Sequence, residues 1–509
     1  MDSGWDQYGG GQSAVEESAL TGTVRNEEPE DYSAVTLILI AFCGLATIMG
    51  IAIALLFTRD LETQDDSGNG HGGAADDDTR FPRSSGSPSG PGPGPIIAPT
   101  GIPATMASSS PAMSLPPAIP TPNPVYTTAA QKSKSSIKPQ SLLCTFSNKT
   151  NYGTIFPSDG VCDYIFYDSM YKNNRNLLVG TWDYDVYSIL SKAQKTDRKK
   201  TQFGLGFAFE HRAKLIQDLA KSSLEVFWGH NLFHFGILDC PAHGVKQADM
   251  DSVFAALKAL DDSVQAARAS GNTSYIILGA VSNTDAWNNY YKNKFSTVYT
   301  PDLFISLGHQ LRGDPERGSC VATPPTILEK PQGLSDVHDM YDAARALASF
   351  GSLAGGPRLS ISVSMKGRWS KLLPASRAEI FSACEKGTPG PYFGSFTEVC
   401  NTPPFSSNVL YEAQRYAMRT YDPGTRRMFV YDNEQALCLK LCNAKANHTN
   451  VAFGVAVYDL EYDDADDTCS DLNSMGAYSR LRTVSTVAKF MANKFTDPTR
   501  LSSCTRIFQ

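Results

Sequence analysis

The sequence predicts a parallel α/β barrel preceded by a long non-globular approach, and three observations carry that reading. Eight short apolar runs recur from about Ser141 onward, with stretches of helical period between several of them. An uncharged, almost wholly apolar segment occupies residues 34–57. Between the two, residues 58–140 are dominated by Pro, Gly, Ser, Ala and Asp, a composition that buries too little apolar surface to offset chain entropy.

Residues 1–33, rich in Gly, Ser and acidic residues and without apolar periodicity, are expected to be a disordered cytoplasmic tail. Residues 34–57 would span roughly 36 Å as a helix, enough for a bilayer core of about 30 Å. An acidic segment precedes this run and it is too long for a cleaved leader, so it reads as a signal-anchor helix. Arg25 and Arg59 flank it almost symmetrically and leave its orientation open. Cysteines and sequons decide it. Of the eleven cysteines, Cys43 lies within the apolar run and all the others follow it, an even set suited to an oxidising compartment. The sequons beginning at Asn148, Asn272 and Asn447 lie on that same side. The expectation is a single-pass type II glycoprotein of the plasma membrane with its C-terminal domain outside the cell. Residues 58–140, with "SGSPSGPGPGP" and "SLPPAIPTPNP", then read as a semi-rigid stalk.

The apolar runs are "SLLCTF", "CDYIFY", "FGLGFAF", "FHFGILDC", "SYIILGAV", "DLFISLG", "LSISVSM" and "VAFGVAVYDL". Segments such as 249–269 and 336–350 have helical period, and the alternation over residues 141–509 points to eight parallel strands with helices outside them. A net charge of −7 supplies no broad basic face, which excludes a nucleic-acid surface. The histidines show no metal-ligand spacing and no glycine-rich phosphate loop stands in the right context, so neither metal nor cofactor is expected.

Several segments, in order, resemble glycoside hydrolase family 18, the chitinases and chitinase-like proteins. "LLCTF" followed by "VCDYIFY" is similar to the family's first two strands. "RLSISVSMKGRW" resembles the seventh strand with the Gly-Arg pair after it, here Gly367 and Arg368. "KGTPGPYFGSFTEVC" resembles a segment of the family's small α+β insertion, placed near residues 370–430. "VYDNEQALCLKLCNAKANHTNVAFGVAVYDLEYDD" is similar to the last helix and eighth strand. The resemblance implies a TIM barrel, disulfides Cys144–Cys162 and Cys400–Cys469, and a groove for chitin-like or N-acetylglucosamine-containing glycans.

It also implies a catalytic Glu at the end of the fourth strand, in the pattern D-x-x-D-x-D-x-E with Gly after the first Asp. Aligning that Gly with Gly236 puts Phe235, Leu238, Cys240 and Ala242 at the acidic positions, and none is a carboxylate. On a regular strand Leu238, Cys240 and Ala242 share one face and Asp239 the other. Sliding the register by one residue brings Pro241 or His243 to the acid position. No register supplies the Glu. In this family, as the resemblance implies, that Glu protonates the glycosidic oxygen while the substrate's acetamide attacks the anomeric carbon, and general acid help is worth about 10²–10⁴-fold.

Other positions differ as well. The sixth strand of the family ends in Met-x-Tyr-Asp, where "ISLGHQL" has Leu307, His309 and Gln310; Tyr458 replaces the Trp that floors the central subsite. Tyr458, His309 and Gln310 are therefore the candidate sugar contacts. Asp459, Glu461 and Asp463 alternate after the eighth run and, as strand, would share a face at about 6.6 Å spacing. Asp459 and Glu461 are thus alternative carboxylates for an active glycosidase, although a solvated strand end fits them better. The leading expectation is a chitinase-like pseudoenzyme that binds a glycan or a cell-surface or extracellular protein. An active tethered glycosidase and a purely structural surface protein are the alternatives.

Overall fold

The computed structural model describes residues 137–508 apart from positions 152, 173–174, 177, 179–181, 196, 312–319, 335–336, 388–391 and 474. The chain divides into two compact units, 1–121 and 122–509, and every described residue belongs to the second. The expected tail, anchor helix and most of the stalk lie outside the described residues.

Eight strands close into a barrel: β1 (Leu142–Phe146), β2 (Tyr164–Tyr167), β3 (Gln202–Gly206), β4 (Leu232–Cys240), β5 (Ile276–Ala280), β6 (Leu303–Ser306), β7 (Arg358–Ser364) and β8 (Gly454–Tyr458). Every neighbouring pair is parallel and β8 pairs with β1 to complete the ring. These strands are buried on both faces because both faces are covered, and β7 carries Ser360, Ser362 and Ser364 on one of them. Leu143, Tyr164, Phe166, Ile277, Ile305 and Ala456 fill the interior. Cys144, Ile165, Phe235, Ile237, Leu278, Val363 and Val457 point outward into the layer shared with the helices.

The expected insertion leaves the barrel after β7. Its five-stranded antiparallel sheet has the order Phe393–Gly394, Gly367–Lys371, Arg427–Tyr431, Ala417–Asp422, Leu410–Glu412. Helix Glu434–Ala446 then leads back to β8. Among the described residues four disulfides are present, Cys144–Cys162, Cys320–Cys384, Cys400–Cys469 and Cys442–Cys504, while Cys240 and Cys438 are buried free thiols. Asn148, Asn272 and Asn447 are all exposed.

The expected plasma-membrane location is corrected here. Among the described residues no helix is long and apolar enough to cross a membrane. The longest of them, Gln247–Ser263, has 17 residues and carries Asp249, Asp251, Lys258, Asp261 and Asp262. It would reach only about 26 Å. The proposed span, residues 34–57, lies outside the described residues.

Candidate functional site

Barrel enzymes place their chemistry where the strands end at their C-termini. On β4 the expected alternation fails. Ile237 pairs with Leu278 and Cys240 with Ala280, so Leu238 and Asp239 together oppose the single residue Gly279. This is a β-bulge, and it inverts the facing of everything beyond it. Leu238 enters the barrel interior, whereas Cys240 joins Phe235 and Ile237 in the outer layer. Phe235 stacks there at 6.4 Å from Phe207, and Ala242 packs, partly buried, on the interior cluster. The shared face expected for Leu238, Cys240 and Ala242 is therefore corrected. Gly279 permits the bulge, since a Cβ there would stand 2.3 Å from the Leu238 carbonyl oxygen.

The candidate sugar contacts are buried and engaged. The Tyr458 hydroxyl donates to the Leu238 carbonyl at 2.7 Å, and its ring lies 4.4 Å from that of His309. His309 Nδ1 sits 2.7 Å from Ser362 Oγ, and Gln310 Nε2 donates to the His338 carbonyl at 2.8 Å. His309 is only 3% exposed, so it is not a solvated loop side chain. Burial pushes its imidazole down to about 3, only partly opposed by Asp459, so the ring is neutral.

The alternating carboxylates after β8 do not form a strand face. Asp459 takes a left-handed conformation (φ 63°) and residues Leu460–Tyr462 form a 3₁₀ turn. Asp459 is locked from three sides: its N–H donates to Thr145 Oγ1 at 3.0 Å, Ser364 Oγ donates to it at 2.8 Å, and Lys366 Nζ pairs with it at 2.7 Å. Asp463 turns away to Arg480 Nε at 2.8 Å. Glu461 accepts from Ser147 Oγ, while its Oε2 is buried without a hydrogen-bond partner. The solvated strand end is thus corrected to a set of buried carboxyl groups with three different fates.

Sequence reasoning passed over Asp168 and set Asp239 aside on the other face of β4. Asp168 follows directly on β2 and leans over β3, where a Cβ on Gly206 would lie 2.7 Å from its Oδ1 and 3.2 Å from Leu238 Cδ1. That Oδ1 is buried with no partner. Asp239, half-buried at the end of β4, accepts from the Phe209 N–H at 3.1 Å. The signal available was an Asp at the C-terminal end of an apolar run, in "YIFYD" and "FGILD" alike.

The electrostatics tie these groups together. Burial raises Asp168 well above the carboxylate range, and Asp239 and Asp459 add to it. Asp239 is raised to about 7 by burial and by Glu210; Glu461 reaches about 7 through burial and Asp459. Burial works against the Lys366 charge, yet Asp459 and Glu461 more than offset it and raise the ammonium. Among the described residues no group of three or more His, Cys, Asp or Glu is placed to hold a metal ion.

A cleft of about 1670 Å³ opens at the opposite, N-terminal end of the barrel, lined by Tyr299, Asp302, Arg358 and the sequon residue Asn272 among others. Its Arg268 is tied to Asp261 at 2.6 Å and Asp302 at 3.5 Å. Chemistry favours the mouth over this cleft. Clustered acids with displaced pKa values weigh more than volume.

The chain matches no family model and no curated relative. Solved structures do share its architecture. The immunomodulatory active chitinase of Trichuris suis aligns at 14% identity over 68% of this chain and 99% of its own, with a TM-score of 0.52. Human YKL-39, a pseudo-chitinase with retained chitooligosaccharide binding, aligns at 15% identity over 68% and 99%, also at 0.52. The Ostrinia furnacalis Group IV chitinase, solved with allosamidin, aligns at 15% identity over 70% and 100%, at 0.50. The chain therefore has the barrel fold of chitinases and chitinase-like proteins.

Proposed function

We propose that residues 141–509 form a chitinase-like domain that binds glycans containing N-acetylglucosamine at the barrel mouth without hydrolysing them. Residues 58–140 serve this domain as a spacer. One observation carries the reading. Leu238, buried in the barrel interior on β4, occupies the side of that strand from which a proton donor would have to act, and the Tyr458 hydroxyl closes over its carbonyl. A general acid is worth about 10²–10⁴-fold, so a barrel with Leu238 on the interior side of that strand is expected to lose its turnover. The likeness to human YKL-39, which binds chitooligosaccharides as a pseudo-chitinase, supports the combination.

The test pairs two measurements on the full-length protein with N-acetylglucosamine tetramer. Titration calorimetry should give saturable binding, and product analysis after prolonged incubation should give no shorter oligomers. Steady hydrolysis overturns the reading.

A second reading has its own observation. Glu461 and Asp239, each raised to about 7, have the proton affinity that general acids need near neutrality. Under that reading the protein is a glycosidase, turnover follows a bell-shaped pH profile, and Glu461→Gln abolishes it.

A further inference from the structure

We propose that Asn272 is glycosylated and that its N-linked oligosaccharide lies in the cleft at the N-terminal end of the barrel, held there as a covalent wedge. This goes beyond the glycan-binding reading of the mouth and does not rest on it.

The modification has its chemistry on the chain. The four disulfides among the described residues suit an oxidising compartment, where sequons meet a lipid-linked oligosaccharide donor. Asn272-Thr273-Ser274 is such a sequon, with no proline between its ends. Asn272 Nδ2 forms a bond to the anomeric carbon, and the carbon–oxygen bond to the lipid diphosphate breaks with its electron pair going to the diphosphate. One amide proton is lost. The N–H that remains still serves Ser270 Oγ, to which Asn272 Nδ2 donates at 3.2 Å.

Geometry singles out this sequon. Of the asparagines that begin the three sequons, Asn272 alone lines the cleft of about 1670 Å³. The helix before it fixes its position. Gln265–Ala269 ends at Gly271, whose φ of 90° favours glycine, and the N–H groups of Gly271 and Asn272 donate to the carbonyls of Arg268 and Ala267, each at 3.1 Å. Asn272 is itself exposed, so the first sugar starts from a hydrogen-bonded turn in the cleft wall.

The walls complement a chain of pyranoses, which has apolar ring faces and a rim of hydroxyls. Val298 is 47% exposed on the cleft wall, and Leu353 is half-buried against the core, so both offer apolar contact. Arg358 and Asn450, both exposed, bring N–H donors to the same cleft. Arg268 is already spent on Asp261, Asp302 and the Ser274 carbonyl. Gly355 leaves room, because a Cβ there would meet nothing within 4 Å. Pockets for single small ligands span about 300–1,000 Å³, so this cleft suits several linked sugars.

The experiment takes the full chain from a eukaryotic secretory host and follows Asn272 by peptide mass spectrometry during digestion with a peptide-N-glycanase, which leaves Asp where a glycan stood. Asn272 should carry a glycan. A glycan that must leave the cleft before cleavage is protected by that equilibrium, so release from the native protein should be slower than from the denatured chain by about ten-fold, or about 1.4 kcal/mol of contact. Val298→Asp and, independently, Arg358→Ala should each speed native release by about three-fold, with thermal melts confirming that both variants fold. An unmodified Asn272 overturns the inference. So does native release as fast as from the denatured chain, which would leave the cleft to solvent or to another part of the protein. Protection that neither variant weakens overturns it too, since the turn alone would then shield the linkage. None of these outcomes bears on sugar binding at the mouth.

Discussion

Two regions of this barrel bury charge, and they do so in opposite ways. Behind the insertion, Lys440 Nζ meets Asp432 at 2.5 Å and the Thr326 carbonyl at 2.6 Å, with both side chains of the pair fully buried. Beside them Arg480 spends its guanidinium on Asp463 at 2.8 Å and on the carbonyls of Tyr462 and Met365 at 2.7 and 3.1 Å. Each cation there has its own acid. At the mouth, Asp168, Asp239 and Glu461 all have pKa values raised by burial and by neighbouring acids, while the Lys366 ammonium is held by Asp459 at 2.7 Å. Breaking a buried ion pair leaves an uncompensated charge, whereas a buried acid without a counter-charge is pushed towards its neutral form, which marks a candidate binding or catalytic site.

The contrast can be broken from either side. The largest effect is expected at the paired region. Arg480→Met leaves Asp463 buried and unanswered and should lower unfolding free energy by about 3–5 kcal/mol, read from a urea midpoint. A loss below 1 kcal/mol would remove the distinction between the two regions. The mouth should respond with the opposite sign. Asp168→Asn removes an acid that burial and Asp239 disfavour, so the variant should melt higher than the wild type at pH 8.

The pH dependence sharpens the same point. Asp239 and Glu461 have folded pKa values near 7, above the ordinary carboxylate range, so the folded state holds protons that the unfolded chain releases. Stability from these groups is present below about pH 4 and is lost as pH rises towards 7. His234, buried in the barrel between Gln202 and Tyr275, works the other way. Burial lowers it to about 3, so its contribution is present above pH 6.5 and is lost as pH falls from there. Urea midpoints for Asp239→Asn should therefore decline less between pH 5 and 8 than those of the wild type. The smallest effect belongs to Tyr458→Phe, which removes one neutral hydrogen bond to Leu238 and should lower stability by about 1 kcal/mol in the same measurement.

The barrel itself was legible because all eight of its strands are buried on both faces, which leaves short unbroken apolar runs in the sequence. The helices outside them were readable in outline; the stretch expected at 249–269 is interrupted at Val264 between helices Gln247–Ser263 and Gln265–Ala269. The site was much less so. The bulge on β4 depends on how closely Gly279 of the next strand approaches, a contact that no pattern within β4 can report. Asp459 leaves the strand because a left-handed turn is stabilised by Thr145 and Ser364 from β1 and β7, so a period-two reading of "VYDLEYDD" carried on one residue too far. Asp168 carries no signal within β2 itself, because its place becomes visible only where the ends of β2, β3 and β4 meet.

Gly206 sets a condition on the whole arrangement. A methyl group at that position would intrude to 2.7 Å from the Asp168 carboxyl, so the acid can lodge there only while the third strand stays bare at its end. Among barrels of this architecture, a bare third-strand terminus together with an acid just past the second strand becomes a two-letter signature for a mouth that lodges a buried carboxyl group there.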